Sequence, residues 1–149
     1  MKNILLQIVF VLISVIGNAQ FIAKAEIKED IEGLCDKDNV YALLPFAGQV
    51  EASCGLSDLD IQNKLNEEVQ FLKDNPKFKG KGMVQIIVNC KGEVVSCKMD
   101  NKTKDPELDK QILDVFKKLV NWKAGTLDGK AVDSVLLFSF EIKKGKFVL

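Results

Sequence analysis

Apolar and polar residues alternate on both sides of a Lys91-Gly92 dipeptide in the second half of the chain. The run M-V-Q-I-I-V-N-C lies before this dipeptide, and E-V-V-S-C-K-M lies after it. Because successive side chains of a strand point to opposite faces, the alternation predicts a β-hairpin with one buried face. The residues predicted to share that buried face are Val84, Ile86, Val88, Val95, Cys97 and Met99.

A helical period precedes the hairpin. Apolar residues recur at spacings of two to four from Leu59 to Leu72, which predicts one amphipathic helix. Ser57 is a suitable N-cap, because its hydroxyl can accept a backbone hydrogen bond at the helix start, and Pro76 is expected to end the helix. At ~1.5 Å per residue, a helix of about sixteen residues is about 24 Å long.

A second helix is predicted after the hairpin. Asp105 is a suitable N-cap, and the fixed φ of Pro106 suits the first helical position. The apolar stripe of this helix consists of Leu108, Ile112, Val115, Phe116 and Leu119. Trp122, just beyond the helix, is expected to be a packing anchor rather than an exposed contact.

Alternation returns between Val132 and Ile142, after an Asp-Gly turn, and predicts a third strand. The side chains expected to face the core are Leu136, Phe138, Phe140 and Ile142. Those expected to face away are Val135, Leu137, Ser139 and Glu141. The order helix-strand-strand-helix-strand predicts an α+β fold, in which two helices pack on one face of a small antiparallel sheet of about three strands.

This succession of motifs resembles the C-terminal domain of the TonB family, across residues 56–149. The resemblance rests on V-x-I-x-V before N-x-K-G-E-V, on D-P-x-L-D at the start of the second helix, on Trp-Lys after it and on F-x-F in the last strand. The family usually has Pro after Trp-Lys, whereas Ala124 and Gly125 follow here; glycine can also turn the chain. TonB proteins transmit energy from the inner membrane to outer-membrane transporters of Gram-negative bacteria.

The resemblance implies a binding function for the third strand, Val132–Ile142. In the family this strand receives an extended peptide from a transporter, and here Val135, Leu137, Ser139 and Glu141 would flank the added strand. The alternative is that residues 147–149 or the N-terminal segment already cover this edge. The domain would then be a closed structural module. A further alternative is a self-associating envelope module, such as a homodimer formed by strand pairing.

Residues 1–19 have the pattern of a signal peptide, in which Lys2 precedes an apolar core and Ala19 ends the cleavage site. We expect an exported, periplasmic or envelope protein that lacks the long Pro-rich spacer of an energy transducer. If residues 1–19 were retained, the chain would instead be an anchored TonB-type transducer. Residues 20–55 are interpreted as an extension packed on or near the domain, in which Ala25–Gly33 is a candidate short helix.

The cysteines of an exported chain are candidates for two disulfides. Cys90 and Cys97 are disfavoured as a pair, because ~3.3 Å per residue along a strand places their Cα atoms on the order of 15 Å apart. The first helix and the strand after it have similar lengths, which is expected to return Cys90 to the side of Cys54. Cys54–Cys90 is therefore the preferred bridge and leaves Cys35–Cys97. The alternative is that one or both pairs stay reduced.

Composition excludes several kinds of site. The chain has 149 residues, with 21 lysines, 21 acidic residues, no histidine and no arginine. Without histidine, no Ser-His-Asp, Cys-His or imidazole-metal centre is possible. The sequence has no Gly-rich phosphate loop and no basic-aromatic pattern typical of nucleic-acid binding. We expect no enzyme activity, cofactor, metal site, nucleic-acid partner or small-molecule substrate, and a protein or peptide as the partner.

Overall fold

The computed structural model describes residues 21–27 and 29–149; the predicted signal peptide lies outside them. The strands are β1 (Ala23–Ala25), β2 (Val40–Ala42), β3 (Gln49–Val50), β4 (Gly80–Val88), β5 (Val94–Asn101), β6 (Gly125–Leu127), β7 (Lys130–Val132), β8 (Ser134–Lys143) and β9 (Lys146–Val148). The helices are α1 (Asp58–Glu68), α2 (Gln70–Asp74) and α3 (Pro106–Lys117). Within this part of the chain, no helix is long and apolar enough to cross a membrane.

The predicted α+β class is confirmed, but the sheet is larger than predicted. Its strand order is β1-β2-β8-β4-β5, and β9 also pairs with β8. All pairs are antiparallel except β2 with β8. The three additional strands are β1 and β2 of the N-terminal segment and β9 of the C-terminal tail, which were expected only as an extension near the domain and as a possible cover of the third-strand edge. A second sheet has the order β3-β6-β7.

The hairpin forms β4 and β5, and its core face is largely as predicted. Cys97 and Met99 lie opposite Ile86 and Val84, and both pack against the main core. Val95 is the exception. The β4–β5 register shifts between Ile87 and Val88, so that Val88 faces Val94 and Ile87 faces Ser96. Val95 has no partner in this β-bulge, and its side chain lies against Gly33 of the N-terminal segment.

The first predicted helix is broken into α1 and α2 at Val69, where ψ is 97°. The break has a tertiary cause, because the Phe71 N–H donates to the side chain of Gln111 on α3 at 2.9 Å. The Glu67 carbonyl, which an unbroken helix would use for Phe71, accepts from Lys73 instead. Leu59 is 62% exposed, so its assignment to the buried stripe was wrong.

Helix α3 begins as predicted, with the Asp105 side chain accepting from the N–H groups of Glu107 and Leu108. Trp122 is half-buried against the main core, and its ring N–H donates to the Leu119 carbonyl at 3.2 Å. The three helices and the even-numbered residues of β4 and β8 share this one hydrophobic core. Its fully covered members include Leu65, Val84, Ile86, Val88, Leu108 and Ile112.

The disulfide joins Cys35 to Cys90, so the predicted pairings Cys54–Cys90 and Cys35–Cys97 were both wrong. Cys54 is a buried thiol within the helix-side core, and Cys97 is a half-buried thiol. The described part of 25–33 contains no helix, contrary to expectation. This segment reaches the β4–β5 turn, where Asn89 donates to the Gly33 carbonyl at 2.8 Å and brings Cys35 near Cys90.

Candidate functional site

One side of β8 is only partly occupied. On its first side, β4 pairs with it from Ser134 to Ile142. On its second side, β2 pairs only at Ser134, and β9 pairs from Glu141 to Lys143. Residues 135–140, defined here as the β8 window, have no strand partner on that side within the described residues. The edge of β8 is therefore covered at its two ends, as one alternative expected, and unpaired in the β8 window, as the other expected.

The backbone groups available in the β8 window belong to alternate residues. The Asp133 carbonyl accepts from the Tyr41 N–H at 2.9 Å, so it points away from β4. Backbone directions alternate along a regular strand, and the β4–β8 register has no shift. Leu137 and Ser139 therefore direct both N–H and C=O toward the unoccupied side.

The tail strand β9 does not offer a comparable edge. The Phe147 N–H, which points away from β8, donates to the Asn66 side chain at 2.8 Å. The Leu149 N–H donates to the Gln62 side chain at 3.0 Å. Side chains of α1 thus accept from the outer N–H groups of the tail, which leaves the β8 window as the unpaired segment on this side of β8.

The side chains predicted to flank an added strand lie on the face opposite the helices. Leu137 is 56% exposed, Ser139 is exposed and Val135 is half-buried. Glu141 is exposed but lies beyond the window, because it pairs with Val148. A hydrogen bond from Lys143, aided by the positive charges of Lys143 and Lys81, lowers the pKa of the Glu141 carboxyl. The first three residues therefore border the opening and the fourth does not.

A notch of about 230 Å³ lies beside the β8 window. Its walls include Glu51, Asp58 and Leu149 in addition to residues of the window itself. Glu51 and Asp58 were not predicted as part of the site, and Leu149 was expected there only as one of the tail residues that could cover the edge. No periodic signal marks them, because the connection after β3 and the C-terminal residue reach the strand only through the fold.

The β5 strand has a longer unpaired edge, since it is one of the two terminal strands of the main sheet, and the other, β1, has only three residues. Its ladder with β4 has two register shifts, and Lys98 and Asp100 are exposed on it. Bulges and charged side chains are features that discourage pairing at an edge. The β8 window has neither a register shift nor a charged residue in V-L-L-F-S-F. It is therefore the edge better suited to accept a strand.

Asp133 lies at the start of β8 and connects three segments. Its two carboxylate oxygens accept from the N–H groups of Asp36 and Cys90, both at 2.7 Å. Its carboxylate also lies within 4.8 Å of the Cys35 and Cys90 sulfur atoms. Because these cysteines form a disulfide, they offer no thiolates to a metal ion, and the cluster has a structural role.

No protein-family model matches the chain, and neither a curated protein nor a solved structure matches it.

Proposed function

We propose that the protein is an envelope protein-binding module that takes up an extended peptide by strand addition at the β8 window. The observation that carries this proposal is an uncharged, regular segment of six residues paired with β4 on one side. On its other side, β2 and β9 pair with β8 just before and just after it, and no described strand pairs with the segment itself. Strand addition uses such unpaired N–H and C=O groups, and alternate side chains of the peptide provide specificity.

The geometry of the opening restricts the peptide. The N–H and C=O groups of Leu137 and Ser139 offer hydrogen bonds to an extended segment, and the Leu137 side chain offers an apolar contact. The carboxylates of Glu51 and Asp58 border the notch. We therefore expect a short peptide that combines apolar residues with a lysine or arginine near these carboxylates.

The TonB-like interpretation has two further supports. The α+β class, with helices packed against a mostly antiparallel sheet, is compatible with this interpretation. The Cys35–Cys90 disulfide fits the oxidising compartment that the predicted signal peptide implies. A peptide segment of an outer-membrane transporter is the partner that this interpretation proposes.

Two substitutions at Ser139 separate a backbone contact from a side-chain contact. Ser139→Pro removes the N–H of residue 139, which points away from β4. The hydrogen bonds between β4 and β8 are therefore all retained. Ser139→Ala removes the hydroxyl and keeps that N–H. Peptides are first selected on the purified wild-type protein from a displayed library of random heptapeptides, and their affinities are then measured by fluorescence polarisation.

We expect Ser139→Pro to weaken the selected peptides by about tenfold or more, and Ser139→Ala to change their affinity by less than about twofold, since one hydrogen bond contributes roughly 1 kcal/mol and the proline ring also obstructs the strand. Circular dichroism and thermal unfolding establish that both variants fold. Undiminished binding by a folded Ser139→Pro variant would exclude strand addition at this edge.

Self-association is the second candidate function, favoured by the same uncharged edge. The β8 strands of two copies can pair antiparallel through their windows, so that the outward N–H and C=O groups of each copy bond to those of the other. Sedimentation equilibrium of the wild-type protein would then show dimers that Ser139→Pro dissociates and Ser139→Ala retains. A monomer at all concentrations that still selects peptides favours the peptide-binding function.

A further inference from the structure

Lysines converge at one end of the main sheet. Strand β4 begins at Gly80, β5 ends at Asn101 and β8 ends at Lys143. Because β4 is antiparallel to both neighbours, these three strand ends meet. A cleft of about 560 Å³ lies there. The five lysines that line this basic cleft are Lys79, Lys81, Lys102, Lys104 and Lys143.

The positive charge of the basic cleft is largely uncompensated. Its one lining carboxylate belongs to Glu141, which forms an ion pair with Lys143 at 2.5 Å. Lys79, Lys102 and Lys104 make no ion pair or side-chain hydrogen bond with any described residue. The chain as a whole has no net charge, so this concentration is local. Like charges around a concavity raise its potential and attract anions.

The loop that carries two of these lysines is held by a buried carboxylate. Thr103 lies between Lys102 and Lys104, and its N–H and hydroxyl donate to Asp109 at 2.9 and 2.6 Å. Asp109 is only 9% exposed. The backbone at Thr103 is thereby fixed to α3, which places both lysines beside the ends of β4 and β8.

More lysines flank the cleft-lining residues along the chain, on the turn between β8 and β9 and on the segment before β4. The Gly145 N–H donates to the Phe78 carbonyl at 3.0 Å and fastens this turn to the segment before β4. A Cβ at Gly145, where φ is +69°, would lie 2.9 Å from the Pro76 Cα, so a side chain there would disturb the contact. The additional lysines on the two joined segments are Lys77, Lys144 and Lys146.

We propose that the basic cleft is a binding site for multivalent phosphate, supplied either by the headgroup of an anionic lipid or by a free phosphate compound. The cleft has the volume of a small-ligand site. Lysine ammonium groups act as mobile point charges, so they suit several phosphate oxygens without requiring one geometry. This site is separate from the β8 window, and its ligand is independent of peptide binding.

The test compares two triple variants that remove the same charge from the full chain. The cleft variant carries Lys79→Gln, Lys102→Gln and Lys104→Gln. The control variant carries substitutions at exposed lysines elsewhere, Lys91→Gln, Lys110→Gln and Lys130→Gln. Inorganic pyrophosphate is titrated by calorimetry at low ionic strength. Vesicles of phosphatidylcholine mixed with cardiolipin are tested by co-sedimentation, with pure phosphatidylcholine vesicles as the blank.

We expect the affinity for the phosphate probe to fall by about tenfold or more in the cleft variant and by less than about twofold in the control variant. Salt screens the interaction between distant charges in solution, so the lysines beside the bound phosphate dominate its affinity. If the protein binds pyrophosphate, the ligand is a free phosphate compound. If it binds cardiolipin vesicles but not pyrophosphate, the ligand is a lipid headgroup. Equal losses in the two variants would overturn the proposal, since net charge would then explain them. Absence of wild-type binding in both arms would also overturn it.

Discussion

At the scale of single residues, Asp133 has the most consequential side chain outside the apolar core. It is 2% exposed, and its two oxygens accept from backbone N–H groups of the N-terminal segment and of the β4–β5 turn. Hydrogen bonds to a charged acceptor stabilise a fold more than an average hydrogen bond does, and these two are partly buried. One carboxylate thus fastens the segment containing Cys35 to the sheet.

We expect Asp133→Ala to lower the free energy of unfolding by about 1–3 kcal/mol, because two partly buried hydrogen bonds to this buried carboxylate are lost. Asp133→Asn is expected to have a smaller effect, since it retains one acceptor oxygen. Urea unfolding measures both. Asp114→Ala, at an exposed position of α3, is the matched control and should change stability by less than about 0.5 kcal/mol. Equal stability of Asp133→Ala and the control would show that water replaces the carboxylate.

At the scale of elements, local signals decided the beginnings of α1 and α3 and the end of α2 shortly before Pro76, but not the interruption between α1 and α2. Ser57 and Asp60 form a reciprocal capping box that the residue pattern supports, and α1 begins there. The interruption at Val69 is accompanied by a hydrogen bond from the Phe71 N–H to the side chain of Gln111, which lies forty residues after Phe71. The pattern of apolar residues cannot contain such information, because the competing acceptor lies on another helix.

The capping box makes α1 sensitive to acid. Hydrogen bonds from the Ser57 hydroxyl and backbone lower the pKa of Asp60 from its usual 3.8. A carboxyl whose pKa is lowered on folding stabilises the fold above its unfolded pKa, and that contribution is lost as the pH falls through the folded value. The contribution of the box is therefore complete at neutral pH and declines below 3.8.

We expect Ser57→Ala to reduce the free energy of unfolding by about 1 kcal/mol at neutral pH. The difference from the wild-type protein should narrow as the pH falls below 3.8, where Asp60 becomes protonated in both proteins. Ser57→Thr retains the hydroxyl and serves as the control. Urea denaturation across this pH range provides the measurement, and a difference that widens in acid would contradict the assigned role of Asp60.

At the scale of the whole molecule, the disulfide links the N-terminal segment to the turn between β4 and β5. Cys35 and Cys90 are 55 residues apart, and their Cα atoms are 6.0 Å apart. Cys54 instead packs in the helix-side core, and burial raises the pKa of the Cys97 thiol. The two remaining thiols are therefore poorly reactive in the folded protein.

Peptide mapping of the oxidised protein without reductant is expected to yield one linked pair, Cys35–Cys90. Alkylation of the native protein should modify Cys97 slowly and Cys54 only after unfolding. In the loop-entropy model, reduction of the bridge should lower the free energy of unfolding by about 4 kcal/mol. Cys97→Ser preserves the bridge and is the control for loss of a cysteine. Recovery of a peptide linked through Cys54 and Cys90 would contradict this prediction and support the pairing expected from the sequence spacing.

The sequence by itself determined the α+β class, the core faces of β4 and β8, and the beginnings of α1 and α3. These features depend on side-chain alternation and capping, which act within a few residues of the chain. Three short lysine runs, K-F-K-G-K, K-T-K and K-K-G-K, are also visible in it. The sequence does not show that these runs meet in one cleft, because their meeting follows from the antiparallel arrangement of β4, β5 and β8.

Only the tertiary structure decided the sheet partners of the N-terminal segment and the tail, the cysteine pairing and the limits of the β8 window. Each depends on contacts between residues far apart in the chain, such as Tyr41 with Asp133 and Phe147 with Asn66. Many chain paths satisfy the same local pattern, and burial of the whole core selects among them. The edge predicted from the third strand therefore became a six-residue opening.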